Sequence, residues 1–203
     1  MRRRHYALLV SCVALVMLDS SSHAASPTLT PRDVITQAST RITTLTEGAE
    51  DKATLHAQVR TIVSEIVDFR AFSARTLAGH WGALTEPQQL RFESAFQSLV
   101  LSVYTKRFQP KKSFNVTFRG PPEPLDEAQV MVRTTLDGPK VGVDLDYRMH
   151  AIKADQRLSW RVIDLVIDDV SMVRTWRRSF ITVLERDGFQ ALIAKIERRA
   201  RRR

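Results

Sequence analysis

Between Ser113 and Ile167 the apolar side chains fall at every second position, whereas before and after that stretch they recur at the three- and four-residue spacing of a helix. A period of two places alternate residues on one face of a strand, and a period near 3.6 builds one stripe on a helix. The strand-rich section opens with Phe114, Val116 and Phe118, and Gly120-Pro121-Pro122-Glu123-Pro124 then breaks it. Val130 to Leu136 reads as a second strand, closed by the turn Asp137-Gly138-Pro139. The third has the cleanest alternation, with Val141, Val143, Leu145, Tyr147 and Met149 on one face and Asp144, Asp146, Arg148 and His150 on the other. After a polar turn at Ala154-Asp155-Gln156, Leu158, Trp160 and Val162 alternate, but Ile163, Leu165 and Ile167 have the opposite parity. That slip predicts a β-bulge or a strand buried on both faces.

The flanks are helical. Thr30 and Pro31 form an N-cap and first-turn pair, followed by Val34, Ile35, Ala38, Ile42 and Leu45 up to Gly48. Leu55, Val59, Ile62, Val63 and Ile66 make a second stripe, and Phe69 to Leu77 a short third helix ended by Gly79. Thr85 with Gln88 has capping-box spacing, and Phe92, Phe96, Leu99, Val100 and Val103 line the helix that follows, which ends near Phe108. In the tail, Val173, Trp176, Phe180, Val183 and Leu184 form one stripe up to Gly188; Phe189, Leu192, Ile193 and Ile196 form another. Four strands in meander order between helices predict an α+β fold: a curved four-stranded antiparallel sheet packed against N- and C-terminal helices and enclosing an apolar cavity.

The N-terminus carries an export signal. Met1-Arg2-Arg3-Arg4-His5 is a basic start, Tyr6 to Leu18 an apolar core, and Ser22-His23-Ala24 a small-residue cleavage site. Residues 1–24 are read as a cleaved secretory signal peptide and 25–203 as a single domain with a basic C-terminal helix end. Leu9-Val10-Ser11-Cys12 has the order of a lipoprotein signal, but cleavage there strands the apolar run Val13 to Leu18 on the mature chain. An uncleaved anchor is a further alternative, on a stretch short for a membrane span. Cleavage at Ala24 removes the single cysteine, and with it disulfides, thiol catalysis and cysteine-ligated metals. The formal charge of +9 loses three arginines and one aspartate with the leader and stays basic, concentrated in Lys195, Arg198, Arg199, Arg201, Arg202 and Arg203. Export makes nucleic acid a poor partner for that charge; anionic lipid headgroups or an acidic protein face suit it, and the plain alternative is a solvated helix end.

No catalytic constellation stands out. His56, His80 and His150 sit on separate predicted elements without metal-ligand spacing, and there is no nucleophile elbow, phosphate-cradling glycine loop or dinucleotide fingerprint. No catalytic residue, cofactor or metal is therefore expected. Asp144 and Asp146 read as the wet side of a sheet. Asp164 lies inside an apolar run, so it must find donors or shift its pKa. It suits a general base in a pocket or a structural acceptor for the turn at Val170-Ser171, and the structural reading is preferred.

Several short pieces also resemble a known family. Gly79-His80-Trp81, Pro87-Gln88-Gln89 with Phe92 and Phe96, Tyr104, Tyr147-Arg148-Met149, and Trp160, Val162 and Asp164 are similar to those of the MlaC or toluene-tolerance family of periplasmic phospholipid-binding proteins. Val170-Ser171, Trp176-Arg177, Phe180 and Asp187-Gly188-Phe189 continue the likeness; Asp169, where glycine is usual, and Trp176, where tyrosine is commoner, depart from it. The resemblance implies a soluble periplasmic carrier in a Gram-negative bacterium. It would hold phospholipid acyl chains and shuttle lipid between an outer-membrane lipoprotein-porin complex and an inner-membrane ABC transporter with a hexameric substrate-binding ring, serving outer-membrane lipid asymmetry. Under that reading Phe96, Val100, Tyr104, Val143, Leu145, Tyr147 and Trp160 are the expected lipid-binding residues, and Asp164 and Ser171 the structural junction. The alternatives are a carrier of another lipid such as a hopanoid and a pocket enzyme using Asp164.

Overall fold

Capping side chains set the helix starts in this computed structural model, which describes residues 29–138, 142–154 and 157–202. The leader read at residues 1–24, Val141 of the third predicted strand, the turn residues Pro139, Asp155 and Gln156, and Arg203 lie outside the described residues. At α1 (Pro31–Gly48), Thr30 Oγ1 accepts from the Asp33 N–H at 3.1 Å while Asp33 Oδ2 accepts from the Thr30 N–H at 2.9 Å. Asp51 caps α2 (Lys52–Ile66) through the Thr54 N–H at 2.9 Å, and Asp68 caps α3 (Phe69–Leu77) through the Ala71 N–H at 2.8 Å. At α4 (Glu86–Tyr104), Gln88 Oε1 reaches back to the Thr85 N–H at 2.9 Å. Each contact satisfies a backbone donor that the first helical turn leaves open. Short 3-10 helices, Ala78–Ala83 and Thr105–Arg107, follow α3 and α4.

The sheet contains seven segments rather than four: β1 (Asn115–Phe118), β2 (Glu123–Pro124), β3 (Gln129–Val132), β4 (Thr134–Asp137), β5 (Gly142–Ala154), β6 (Arg157–Ile167) and β7 (Val170–Ser171). All their ladders are antiparallel. β3 and β4 lie along β5 in one register, Val132 opposite Tyr147 and Thr135 opposite Asp144, with β6 on the other edge of β5. β1 and β2 flank β4 and β3 on the outside. The predicted meander is therefore present in four main rows, but the first two rows are each cut in two. Prolines, which lack a donor, cut the outer row at Pro121-Pro122. At the second cut the Thr134 N–H donates to the Asp146 carboxylate at 3.1 Å, so a side chain takes part in the ladder.

The parity slip in the last long strand is a bulge. Arg148 opposes Asp164 and Met149 opposes Val162, which leaves Ile163 without a partner. The extra residue brings Val162 and Leu165 to the same side of β6 despite their odd separation, and a bulge bends the strand that carries it. β7 returns along β6 and leads into α5 (Met172–Arg201), which breaks at Gly188, where φ is 79° and ψ is 176°.

Two apolar clusters result. In the larger, Phe96 of α4 packs its ring against Phe72, Phe92, Trp176 and Phe180 at centroid distances of 5.2, 5.6, 6.2 and 5.7 Å. The smaller joins α1 to α2 through Ala38, Ile42, Leu55, Val59 and Ile62. One polar expectation is corrected. Asp146 is 3% exposed, because Arg119 at 2.7 Å and Arg133 at 3.2 Å reach over it from neighbouring rows. Asp144 remains on the wet side, paired with Arg119 at 3.0 Å. Among the described residues no helix is long and apolar enough to cross a membrane.

Candidate ligand cavity

A cavity of about 600 Å³ has walls drawn from both clusters and from the sheet. α1 contributes Ile35, Ala38 and Ile42; α2 contributes Val63 and Ile66; α3 contributes Phe72; and α4 contributes Val100, Leu101 and Tyr104. From the sheet come Val116 of β1, Leu136 of β4, Val143, Leu145 and Tyr147 of β5, and Val162, Leu165 and Ile167 of β6. The polar walls come mainly from the segment after α4, where Arg107, Gln109, Lys112 and Ser113 accompany Phe108 and Phe114. No carboxylate is among the lining residues described. A concave, apolar site of this size with a few polar groups is the usual form of a small-molecule site.

Of the residues singled out in the sequence, Val100, Tyr104, Val143, Leu145 and Tyr147 stand together on this wall. Phe96 and Trp160 are not among the lining residues. Phe96 lies one helical turn before Val100 but is fully buried among aromatic rings, so its volume fills the core. Trp160 pairs with Ala151 beyond the bulge, towards the far end of the β5–β6 ribbon, and packs against the larger cluster. Sequence reasoning missed the contributions of α1 and α2. Ile35, Ala38 and Ile42 belong to a stripe whose spacing is the same whether it faces a neighbouring helix or a void.

Asp164 is not a wall residue. Its Oδ2 accepts from the Ser171 hydroxyl at 2.6 Å and its Oδ1 from the Val173 N–H at 2.9 Å, and the residue is 5% exposed. Burial raises its pKa above the ordinary carboxylate value, while the hydrogen bonds from Ser171 and Val173 and the nearby Arg75 charge act in the opposite direction. The three described histidines are on separate elements: His56 Nε2 lies 3.0 Å from the Phe108 carbonyl, His80 lies 3.2 Å from Glu185, and His150 lies 3.0 Å from Asp68. Burial also pushes the Tyr104 and Tyr147 hydroxyls above the usual phenol range, so both are neutral at physiological pH. The Tyr104 hydroxyl donates to Met172 Sδ at 2.7 Å.

Among curated proteins no significant match to this chain is found. A solved structure similar in fold is a phospholipid-binding protein from Ralstonia solanacearum in complex with a phospholipid. It aligns with a TM-score of 0.70 and 22% sequence identity, over 82% of this chain and 94% of that one. The family description MlaC protein matches residues 32–198, most of the chain and every element that lines the cavity. On that match, the chain belongs to the MlaC protein family.

Proposed function

We propose that this protein is a soluble periplasmic carrier, exported by a cleaved signal at residues 1–24, whose single domain from residue 25 onward binds phospholipid. Acyl chains would occupy the large cavity against Val100, Tyr104, Val143, Leu145 and Tyr147, and the polar headgroup would lie towards Arg107 and Lys112. The single observation that carries this reading is the cavity itself: about 600 Å³, apolar on the helical and sheet sides, with basic residues in the segment after α4. Each methylene moved from water into such a space contributes about 0.8 kcal/mol, so two chains are retained without any chemistry. Family membership supports the reading, as does the likeness in fold to a protein solved with a phospholipid.

The carrier would pass its cargo between an outer-membrane lipoprotein-porin complex and an inner-membrane ABC transporter with a hexameric ring. Release then requires a partner that favours an open state or binds the lipid more tightly. In this reading Asp164 and Ser171 hold the strand-to-helix junction, since both carboxylate oxygens already have donors.

The test is solvent extraction of the purified folded protein followed by mass spectrometry. Diacyl phospholipids in near-stoichiometric amount are expected. A sample without lipid would overturn the proposal, and a sterol-like or hopanoid cargo would replace phospholipid in it.

A further inference from the structure

A second cavity, of about 320 Å³, shares Tyr104, Arg107 and Ile167 with the large one and is closed by Val103 of α4 and by Met172, Trp176, Ser179 and Arg199 of α5. Its Trp176 indole and Arg199 guanidinium have no part in the function proposed above, and Arg107 stands beside them. Trp176 is 4% exposed, and its indole N–H, although near the Tyr104 hydroxyl, meets no acceptor in hydrogen-bond geometry among the described residues. The Arg199 guanidinium lies 4.5 Å from the centroid of the Trp176 ring, and neither Arg199 nor Arg107 is paired with a carboxylate among the described residues. No acidic side chain is among the walls described. A buried, unsatisfied donor beside two guanidinium groups without carboxylate partners is a donor set suited to an anion.

The fold brings one residue of the basic tail, Arg199, to this cavity. Lys106 Nζ donates to the Arg202 carbonyl at 3.0 Å, which holds the arginine-rich end of α5 against the 3-10 helix after α4. Arg199 and Arg107, far apart in sequence, thereby border the same space.

We propose that the smaller cavity is a phosphate-recognition site, in which Arg107, Arg199 and the Trp176 indole N–H bind the phosphate of a lipid whose chains lie in the larger cavity. The inference rests on the carrier reading and adds the means by which the acidic end is recognised. Guanidinium groups suit this ligand because their planar, permanently charged donors match phosphate oxygens. Tyr104, common to both cavities, would lie where chains and headgroup meet.

The experiment compares the lipid-stripped protein with its Arg199→Gln and Trp176→Phe variants in equilibrium binding to three probes. These are dioleoyl phosphatidic acid, dioleoylglycerol, which lacks only the phosphate, and water-soluble glycerol 3-phosphate. The wild-type protein is expected to bind phosphatidic acid more tightly than the neutral lipid. Arg199→Gln, a change at the surface, should weaken phosphatidic acid roughly tenfold and leave dioleoylglycerol unchanged. Trp176→Phe keeps the ring in the core and should weaken phosphatidic acid by a smaller factor. Equal wild-type affinity for the two lipids, or parallel losses for both in Arg199→Gln, would overturn the site. Tight, Arg199-dependent binding of glycerol 3-phosphate alone would overturn the assignment to a lipid headgroup and indicate a soluble phosphate ligand. Failure of the carrier reading looks different, because neither lipid then binds the wild-type protein at all.

Discussion

The Ser171 hydroxyl donates to Asp164 Oδ2 at 2.6 Å while its oxygen accepts the Arg174 N–H at 3.1 Å. One side chain thus ties the end of β6 to the first turn of α5, and Asp164 Oδ1 adds the Val173 N–H at 2.9 Å. Replacing Asp164 with alanine leaves two buried donors without an acceptor. A loss of about 2–4 kcal/mol is expected, read as a lower denaturant midpoint. Lipid content per folded molecule should be unchanged; loss of bound lipid at full stability would assign Asp164 to the ligand instead.

The same carboxylate has a defined pH signature. Burial raises its folded-state pKa above the unfolded value, so the folded chain holds the proton more tightly. The contribution of this group to stability is then fully present below the unfolded pKa, about 3.9, and is lost as pH rises through the folded value. The stability of wild type relative to Asp164→Asn should therefore increase on acidification from neutral pH. A flat difference in urea midpoints between pH 4 and pH 7 would contradict this.

Leu145 lies on the cavity wall, between Val143 and Tyr147 on the same strand face. A carboxylate placed there must be desolvated against the apolar cavity wall. Leu145→Glu is expected to lose most of its co-purifying lipid, at least tenfold by mass spectrometry, with an unchanged circular dichroism spectrum. Leu90, already 54% exposed, provides the control, and Leu90→Glu should retain its lipid.

Asp146 tests the sheet rather than the cavity. Its buried carboxylate compensates Arg119 and Arg133 and accepts the Thr134 N–H. Asp146→Ala should cost about 2–4 kcal/mol, whereas Arg133→Ala, at a side chain 43% exposed, should cost about 1 kcal/mol or less. Similar losses in thermal and urea unfolding would show that the carboxylate is no more important than its partly exposed partner.

Gly188 has φ of 79° in the middle of α5, and a Cβ built there meets no atom within 4 Å. Steric room is therefore available and only the backbone conformation objects. Gly188→Ala should destabilise by about 1–3 kcal/mol, measured by chemical denaturation, because this φ/ψ combination is essentially restricted to glycine.

Much of this arrangement was legible from local pattern. The change of apolar period located the sheet, the capping residues Thr30 and Thr85 marked helix starts, and the parity slip after Val162 corresponds to the bulge at Ile163. What escaped depended on residues distant in sequence. Alternation puts Asp146 on the side away from Tyr147, yet only the paired rows bring Arg119 and Arg133 over it. The cut at Arg133 has the same origin, since the interrupting carboxylate comes from β5. Phe96 and Val100 share one helical stripe, and periodicity cannot say that the first meets four aromatic rings while the second borders a void.

The division of the apolar interior into two clusters has a bearing on how such a molecule is emptied. The α1–α2 cluster and the large aromatic cluster meet at Val63 and Ile66, which pack against both, and the cavity takes its walls from members of each. A ligand held there would touch residues that also pack within each cluster, such as Phe72 and Val100 of the larger and Ala38 and Ile42 of the smaller. On the carrier reading, an emptied cavity would leave the packing within each cluster in place, so any opening needed for release would fall on the contacts between the clusters.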